Sequence, residues 1–438
     1  MDRRAFISTV AATSLAGKLN AAPKPSLTRQ ADTTASQQAK NSTVVVGPPV
    51  VQNPTSDGFN ISWQVSSLAT GHVQWGITEK LGQISKSDHH GLAQFDDQIL
   101  NAKIVGTAGA SEIFYRLVTV PVTYKNAYQI VKLPQIYSQV RRLKLPNSKA
   151  KSMSLGIVND THEHEKTISL LSQRIAHQDP DLLLWNGDIS NNFKNPKRLP
   201  HICLSPGGTQ QNHTSGGWAS TRGLLFVPGN HDVRGRYAMS LAKALTPWDM
   251  QAGDDKALSN LAWHGGRYCF ALRHGPVAMI GLDTGEDKPD NRKAFAGLAA
   301  FEPYRRAQER WLINALKTDE IASAPYLIAF SHIPLRGLPG QNDGQSKSGY
   351  AYYSGHGQSL WLNHLIQAKC SFIVSGHTHR FRADLPTEKF PIHQFVGGGP
   401  KLHQATYLSL KADATKMHFI AEDLQQKELG KWDFKPRH

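Results

Sequence analysis

The feature that most constrains this chain is a set of five short polar groups, each of which closely follows an apolar run. The groups are Asp160-Thr161-His162, Gly187-Asp188, Gly229-Asn230-His231-Asp232, Ser331-His332 and Gly376-His377-Thr378-His379. The apolar runs before them are residues 154–158, 181–185, 224–227, 326–330 and 371–374. Runs of this length predict buried β-strands. Because an open α/β sheet gathers residues from the carboxyl ends of its strands, we expect the five groups to converge at one rim.

The side chains in these groups are metal ligands of one chemical kind. Zn, Mn and Fe accept carboxylate, amide and imidazole ligands together, whereas Mg and Ca favour shells made of oxygen alone. Two such ions about 3.5–4 Å apart can share a carboxylate and hold both the attacking and the leaving oxygen of a phosphoryl group. We assign the shared carboxylate to Asp188. Turn or helix-cap roles for Asp160 and Asp188 would leave the Gly-Asn-His-Asp and Gly-His-Thr-His groups unexplained.

At these residues the sequence resembles the calcineurin-like metallophosphoesterase superfamily, whose motifs read D-x-H, G-D, G-N-H-D/E, a lone His and G-H-x-H. The resemblance covers about residues 150 to 405 and implies an α/β fold, a four-layer α/β/β/α sandwich. It implies that one ion is held by Asp160, His162 and His379, the other by Asn230, His332 and His377, and that Asp188 bridges them. It also implies that His231 faces the scissile phosphate, with Asp232 orienting its imidazole.

Purple acid phosphatases form a useful comparison within that superfamily. They pair a similar catalytic domain with an N-terminal fibronectin-like domain, but their first motif lacks the histidine found here as His162. In those enzymes a tyrosine shortly after the bridging aspartate binds ferric iron and produces the colour. Here Asp188 is followed by Ile189-Ser190-Asn191-Asn192. We therefore predict a colourless enzyme, and a visible absorption band in the purified, metal-loaded protein would contradict this.

The N-terminus carries a twin-arginine pattern. Arg3 and Arg4 precede a mildly apolar stretch, residues 7–17, that is rich in Ala, Ser and Thr. Residues 1–22 are therefore interpreted as a signal peptide, and we expect the mature protein in the periplasm or outside the cell. A frayed basic tail is the alternative interpretation. Residues 23–42, rich in Pro, Ser, Thr and Gln, are typical of a flexible linker.

The length of 438 residues exceeds what one hydrophobic core usually supports, so we expect two domains. Residues 43–136 contain short β-branched or alternating segments separated by turns, which predicts a small all-β sandwich similar to a fibronectin type III domain. Trp63 is expected to pack between its sheets. Residues 137–151 are interpreted as a connection to a catalytic domain spanning residues 150–425. No apolar run is long enough to predict a transmembrane segment.

Three long intervals lie beside the predicted strand ends, where loop insertions commonly determine which substrate an enzyme accepts. They are residues 191–221, 234–266 and 335–357. Their candidate phosphate or leaving-group contacts are Arg234, Arg236, His264, Tyr350, Tyr352, Tyr353 and His356. Outside these intervals, His164 is either an outer contact of the site or a solvated loop residue. Three cysteines, Cys203, Cys269 and Cys370, permit at most one disulfide.

The amino-acid composition indicates which classes of molecule the protein can be expected to bind. A formal net charge of +15 favours encounters with phosphorylated small molecules and anionic surfaces. Lys and Arg do not form a dense run interleaved with aromatic residues, so a dedicated nucleic-acid groove is not predicted.

The combined prediction is an exported enzyme with two divalent or mixed-valence ions of Fe, Mn or Zn. It would hydrolyse phosphate esters by in-line attack of a hydroxide that bridges the ions, with monoesters favoured. One alternative is a phosphodiesterase that acts on nucleotides or lipid head groups. Another is a non-catalytic surface-binding module that keeps the metals for stability, although the intact His231-Asp232 pair argues against it.

Overall fold

The computed structural model describes residues 44–107, 109–205, 218–249, 266–338 and 349–438. The predicted signal peptide and linker lie outside these residues. Among the helices in the described ranges, none is both long and apolar enough to cross a membrane.

The N-terminal region is built of β-strands, as the sequence predicts. Its strands are β1 (Val45–Thr55), β2 (Gly58–Val65), β3 (Ala69–Gly76), β4 (Gln83–Lys86), β5 (Asp88–His89), β6 (Leu92–Ala93), β7 (Phe95–Asp96), β8 (Ile99–Val105), β9 (Glu112–Asn126), β10 (Gln129–Lys132), β11 (Ile136–Tyr137) and β12 (Arg141–Lys144). Strands β1, β2 and β8 form one layer, and β3, β4, β9 and β12 belong to the other. Because β11 and β12 pair with β9, part of the predicted connection belongs to the β-rich region.

The two layers of this sandwich enclose their own apolar core. Phe59, Ile61 and Trp63 from β2 pack with Tyr115 and Leu117 from β9. Trp63 is fully buried, as predicted, and its indole N–H donates to Thr119 Oγ1 at 3.0 Å. A buried Trp needs such a partner, because an unpaired N–H away from water costs free energy.

The remaining strands form the predicted catalytic region. They are β13 (Ser152–Val158), β14 (Leu182–Asn186), β15 (Gly223–Val227), β16 (Phe270–His274), β17 (Val277–Leu282), β18 (Tyr326–Ser331), β19 (Phe372–Ser375), β20 (Arg382–Asp384), β21 (His393–Val396), β22 (Thr406–Asp413), β23 (Met417–Asp423) and β24 (Glu428–Phe434). The five apolar runs of the sequence correspond to β13, β14, β15, β18 and β19, so these strand predictions are confirmed.

The catalytic strands lie in two sheets that pack face to face. One sheet has the order β24-β23-β22-β13-β14-β15-β1-β2-β8, and the other has the order β16-β17-β18-β19-β21-β20. Leu155, Leu184 and Leu225 of the first sheet share a buried cluster with Phe330 and Phe372 of the second. Strands β14, β15, β17 and β18 are buried along their whole length, which explains their unbroken apolar runs.

Helices cover the outer faces of both sheets. They are α1 (Glu165–Gln178), α2 (Leu199–Cys203), α3 (Leu241–Ala244), α4 (Phe301–Ala315), α5 (Asp319–Ala322), α6 (Gly349–Gly357) and α7 (Asn363–Gln367). In α1, Leu171 and Ile175 pack on the first sheet, while Trp311 and Leu312 of α4 pack on the second. The order of layers is helix, sheet, sheet, helix, so the predicted four-layer α/β/β/α sandwich is confirmed.

The β-sandwich and the catalytic region share a sheet. Strand β1 pairs in parallel with β15, with Gln52 opposite Leu224. Gln52 is buried and uses its whole amide: Nε2 donates to Ser62 Oγ and to the carbonyl of Ala244, and Oε1 accepts from the backbone N–H of Thr246 at 2.7 Å. Hydrogen bonds, as well as apolar contacts, therefore join the two regions.

Candidate metal centre

The predicted ligands converge, and they come from the strand ends of two facing sheets. The parallel neighbours β13, β14 and β15 end beside Asp160, Asp188 and Asn230. In the facing sheet, the parallel neighbours β18 and β19 end beside His332 and His377. The five groups converge as expected, although the apolar runs did not reveal which strands pair with which.

A first group contains Asp160, His162, Asp188 and His379. Each offers one ligand atom, and these atoms all lie within 4.8 Å of one another. His162 Nε2 lies 3.0 Å from His379 Nε2 and 3.4 Å from Asp188 Oδ2, and His379 Nε2 lies 3.3 Å from Asp160 Oδ1.

A second group shares Asp188 with the first and adds His332 and His377. His332 Nε2 lies 3.2 Å from Asp188 Oδ2. The amide oxygen of Asn230 lies 2.9 Å from His377 Nδ1, which adds the fourth predicted ligand of this group. Two groups that meet at one carboxylate have the arrangement expected of two neighbouring cations.

Each aspartate in the centre has one oxygen held by the protein and one left over. Asp160 Oδ2 accepts from the backbone N–H of His377 at 2.8 Å, and Asp188 Oδ1 accepts from the N–H of His231 at 2.8 Å. The buried atoms Asp160 Oδ1, Asp188 Oδ2 and His332 Nε2 have no hydrogen-bond partner. Buried polar atoms without partners are costly, so these residues fit a bound cation.

Histidine orientation agrees with this donor set. His332 Nδ1 lies 2.9 Å from the carbonyl oxygen of Asn186, so it donates there as N–H and leaves Nε2 as an unprotonated acceptor in the neutral ring. Metal-binding histidines are commonly oriented by such a bond on the other nitrogen.

The local backbone is shaped to bring the ligands together. Asp160, His162, Asp188, His377 and His379 all have positive φ, between 43° and 70°. Such conformations cost about 1–3 kcal/mol each in a residue with a Cβ, and they cluster at functional sites.

Glycines in the motifs allow the close approach of neighbouring loops. A Cβ on Gly229 would lie 2.2 Å from Asp188 Oδ1, and a Cβ on Gly376 would lie 2.2 Å from Asp160 Oδ2. A side chain at either position would displace a candidate ligand, which is the physical reason for glycine there.

The charges of the centre act strongly on its histidines. Burial lowers the pKa of His332, but the carboxylates of Asp188 and Asp160 outweigh burial and raise this pKa to about 10. Burial also lowers the pKa of His162, but the carboxylate of Asp188 outweighs burial, and the pKa is raised above its ordinary value. Burial and the neighbouring His332 lower the pKa of His377 to about 3. The carboxylates thus attract positive charge, which either a proton or a cation can supply.

The turn after β21 contacts the centre through Asn159. Asn159 Nδ2 donates to Asp160 Oδ2 at 2.6 Å and to the carbonyl of Gly398 at 2.7 Å. A Cβ on Gly399 would lie 2.5 Å from the Cβ of His379. Asn159 was not singled out in the sequence, although its position directly before the first ligand was a usable signal.

His231 reaches the edge of the centre, but its predicted partner is wrong. Its Nδ1 lies 2.8 Å from the carbonyl oxygen of Asn191, and its Nε2 lies 3.1 Å from Arg234 Nη1. Asp232 is turned the other way: it accepts from the backbone N–H groups of Gly229 at 2.9 Å, Ile189 at 3.1 Å and Ser190 at 3.2 Å. Asp232 therefore ties two ligand loops together and does not orient the His231 ring.

The loop after β17 contributes residues that the sequence analysis missed. Glu286 and Asp287 both bind Arg234, and Asp287 Oδ2 lies 3.9 Å from His377 Nε2. The signal was available, since Glu286 and Asp287 follow the fully buried strand β17 as the other groups follow theirs. It was overlooked because this loop carries no histidine.

The other candidates lie away from the ligand atoms or outside the described residues. His164 caps α1, where its Nδ1 contacts Thr167. Arg236 is exposed over the Tyr237 ring, while Tyr353 and His356 contact the buried Arg305. His264 lies outside the described residues, as do the side chains of Tyr350 and Tyr352. The three cysteines are buried, and none of them forms a disulfide among the described residues.

A family model for calcineurin-like phosphoesterases matches residues 153–381, which is just over half of the chain. This chain belongs to the calcineurin-like phosphoesterase family. It is a metal-dependent phosphoester hydrolase, and the matched segment contains all seven candidate ligands. A search of curated proteins gave no match for this phosphoesterase.

Two solved structures have a similar fold. The purple acid phosphatase from yellow lupin (Lupinus luteus) seeds is 12% identical with a TM-score of 0.58, and the alignment covers 90% of this phosphoesterase and 75% of that chain. The structure of PhoD is 10% identical with a TM-score of 0.58, and 90% of each chain is covered. At these identities the similarity concerns the fold alone.

Proposed function

We propose that this phosphoesterase binds two divalent or mixed-valence ions of Fe, Mn or Zn and hydrolyses phosphomonoesters outside the cytoplasm. The observation that carries the proposal is the pair of ligand groups that share Asp188. Unpartnered buried atoms from Asp160, Asp188 and His332 meet there. The candidate ligands divide into two groups that overlap at Asp188, which favours two ions over one.

The residues of the chain have distinct roles in this proposal. Bound ions would activate water and neutralise phosphoryl charge. Asp160, His162 and His379 hold the first position, while Asn230, His332 and His377 hold the second, and Asp188 is common to both. The ring of His231 lies beside His162, with a centroid separation of 4.8 Å. It is thus within reach of a phosphate bound at the first position.

The test combines metal content with a substrate panel. Purified protein is loaded with Mn, Zn or Fe, its metals are counted by elemental analysis, and it is assayed on p-nitrophenyl phosphate, bis-p-nitrophenyl phosphate and nucleotides. We expect two ions per chain and higher kcat/KM on the monoester. Preference for the diester would favour the phosphodiesterase instead. Inactivity on every substrate with two ions bound would favour a binding module.

Export is tested separately from catalysis. Arg3→Lys together with Arg4→Lys keeps the charge of the N-terminus but removes the arginine pair that a twin-arginine signal requires. We expect the enzyme to accumulate in the cytoplasmic fraction of cells that express the variant, while the unaltered chain reaches the exported fraction. Equal export of both chains would contradict the proposed route.

A further inference from the structure

Arg234 is the charged side chain that connects His231 to the acidic loop after β17. Its Nε donates to Glu286 Oε2 at 2.7 Å, its Nη2 donates to Glu286 Oε1 and to Asp287 Oδ1, and its Nη1 lies 3.1 Å from His231 Nε2. The Arg234 side chain is 28% exposed, so it is held by the acidic loop and is still partly open to solvent.

The partners of Arg234 are themselves held rigidly. Glu286 is 1% exposed, and its Oε1 also accepts from the backbone N–H of Asp287. The buried Arg305 donates from Nη1 to the carbonyls of Thr284 and Glu286 at 3.1 and 3.2 Å. A guanidinium on such a support loses little conformational freedom when it binds an anion.

Arg234 contacts residues that lie next to both ligand groups. Through His231 it lies next to His162 of the first group, because those two rings are in edge contact. Through Asp287 it lies next to His377 of the second group. Arg234 thus contacts one neighbour of each ligand group, His231 beside His162 and Asp287 beside His377.

We propose that Arg234 binds a terminal phosphoryl oxygen of the substrate and selects phosphomonoesters over diesters, an inference that rests on the proposed function. A monoester presents three terminal oxygens, and two of them can be taken by the ions. Arg234 then meets the third as a charge-assisted donor. In a diester the third position carries an ester group, which accepts such a bond poorly. Glu286 acts as the positioning residue that holds the guanidinium.

The test uses Arg234→Gln with Arg236→Gln as the matched control. Both changes remove one positive charge from the same loop, but Arg236 is exposed and stacks over Tyr237. For Arg234→Gln we expect kcat/KM on p-nitrophenyl phosphate to fall about 10- to 100-fold, with a change below about threefold on bis-p-nitrophenyl phosphate. Arg236→Gln is expected to leave both values unchanged. Metal content by elemental analysis should be equal in all three proteins.

Calorimetry with inorganic phosphate gives a readout that does not depend on turnover. Phosphate affinity of the metal-loaded protein should fall about 10- to 100-fold in Arg234→Gln. Arg234→Lys, which keeps the charge but loses the planar fork, should fall in between. Glu286→Gln should weaken phosphate binding while leaving the metals in place.

The outcomes distinguish the proposed function from the proposed role of Arg234. Wild-type protein that cleaves neither ester would refute the proposed function. Active wild-type protein whose phosphate affinity does not change in Arg234→Gln would overturn the role of Arg234 alone. Equal losses on the monoester and the diester would overturn the selectivity.

Discussion

The ligand centre and the junction between the β-sandwich and the catalytic sheet both bury polar side chains, but Gln52 at the junction is hydrogen-bonded more completely than the aspartates of the centre. At the junction, Gln52 satisfies both ends of its amide, and Tyr115 donates to the carbonyl of Ser220 at 2.5 Å. In the centre, Asp160, Asp188 and His332 each keep a buried atom that makes no hydrogen bond.

This difference indicates which buried polar groups contribute to stability and which serve function. A buried polar group with full hydrogen bonding contributes about 0.5–1.5 kcal/mol per bond and specifies how the surfaces fit. A buried group without a partner opposes folding and persists where the rest of the structure holds it in place. We therefore expect substitutions in the centre to change metal binding and rate, and substitutions at the junction to change the free energy of unfolding.

The largest effect is expected for Asp188→Ala. Because Asp188 belongs to both ligand groups, its removal should abolish binding of the metal pair and reduce turnover below detection. Asp181→Asn is the control, since Asp181 lies at the opposite end of the same strand and bonds to Ser154 and Lys144. Elemental analysis and the p-nitrophenyl phosphate assay measure both. Retention of two ions by Asp188→Ala would show that the comparison is wrong.

His231→Ala should give the next largest effect. The imidazole lies outside the two ligand groups, so the variant should keep both ions and lose roughly two to four decades in rate. The measurements are kcat together with metal content. If the variant loses metal to the same extent as Asp188→Ala, then His231 belongs to the ligand set and its assigned role fails.

Metal affinity should rise with pH. Asp188 and Asp160 raise the pKa of His332 to about 10 against the effect of burial, so below that pH the metal-free protein carries a proton that metal must displace. Each displaced proton makes affinity increase by up to about tenfold per pH unit. Calorimetry in buffers with different ionisation enthalpies should detect proton release on Zn uptake. Affinity that is independent of pH between 6 and 8 would contradict the assignment.

The smallest effect on catalysis is expected at the junction. Gln52→Ala removes the hydrogen-bond partner of the buried carbonyl of Ala244 and of the part-buried N–H of Thr246, which should lower the free energy of unfolding by about 1–3 kcal/mol. The activity per folded molecule should stay constant. Gln83→Ala, at an exposed position of β4, is the control. Denaturant unfolding measures the change, and a loss of kcat in Gln52→Ala would show that the junction also supports the centre.

Part of this molecule could be predicted from local patterns. Strands β13, β14, β15, β18 and β19 are recognisable because strands buried on both faces are continuous apolar runs. The polar groups directly after these strands are recognisable because each of them follows the end of an apolar run. The motifs contain glycines, but the sequence does not show why they are needed. The structure shows that close packing around Asp160 and Asp188 requires them.

Other features depend on contacts between distant segments. The direction of Asp232, the support of Arg234 by Glu286 and the division of the ligands between two sheets all involve such contacts. The pairing of β1 with β15 joins residues about 170 positions apart. Local periodicity contains no information about which of several similar strands becomes a neighbour.

The sequence by itself determined the chemical identity and the order of the candidate ligands, because side-chain type and strand-end position are local properties of the chain. The tertiary structure alone decided which atoms remain without partners. That outcome depends on which backbone N–H groups fold back onto each carboxylate, as that of His377 does onto Asp160 and that of His231 onto Asp188. Hydrogen bonds between distant segments form only when the sheets pack, and they leave one oxygen of each aspartate directed into the centre.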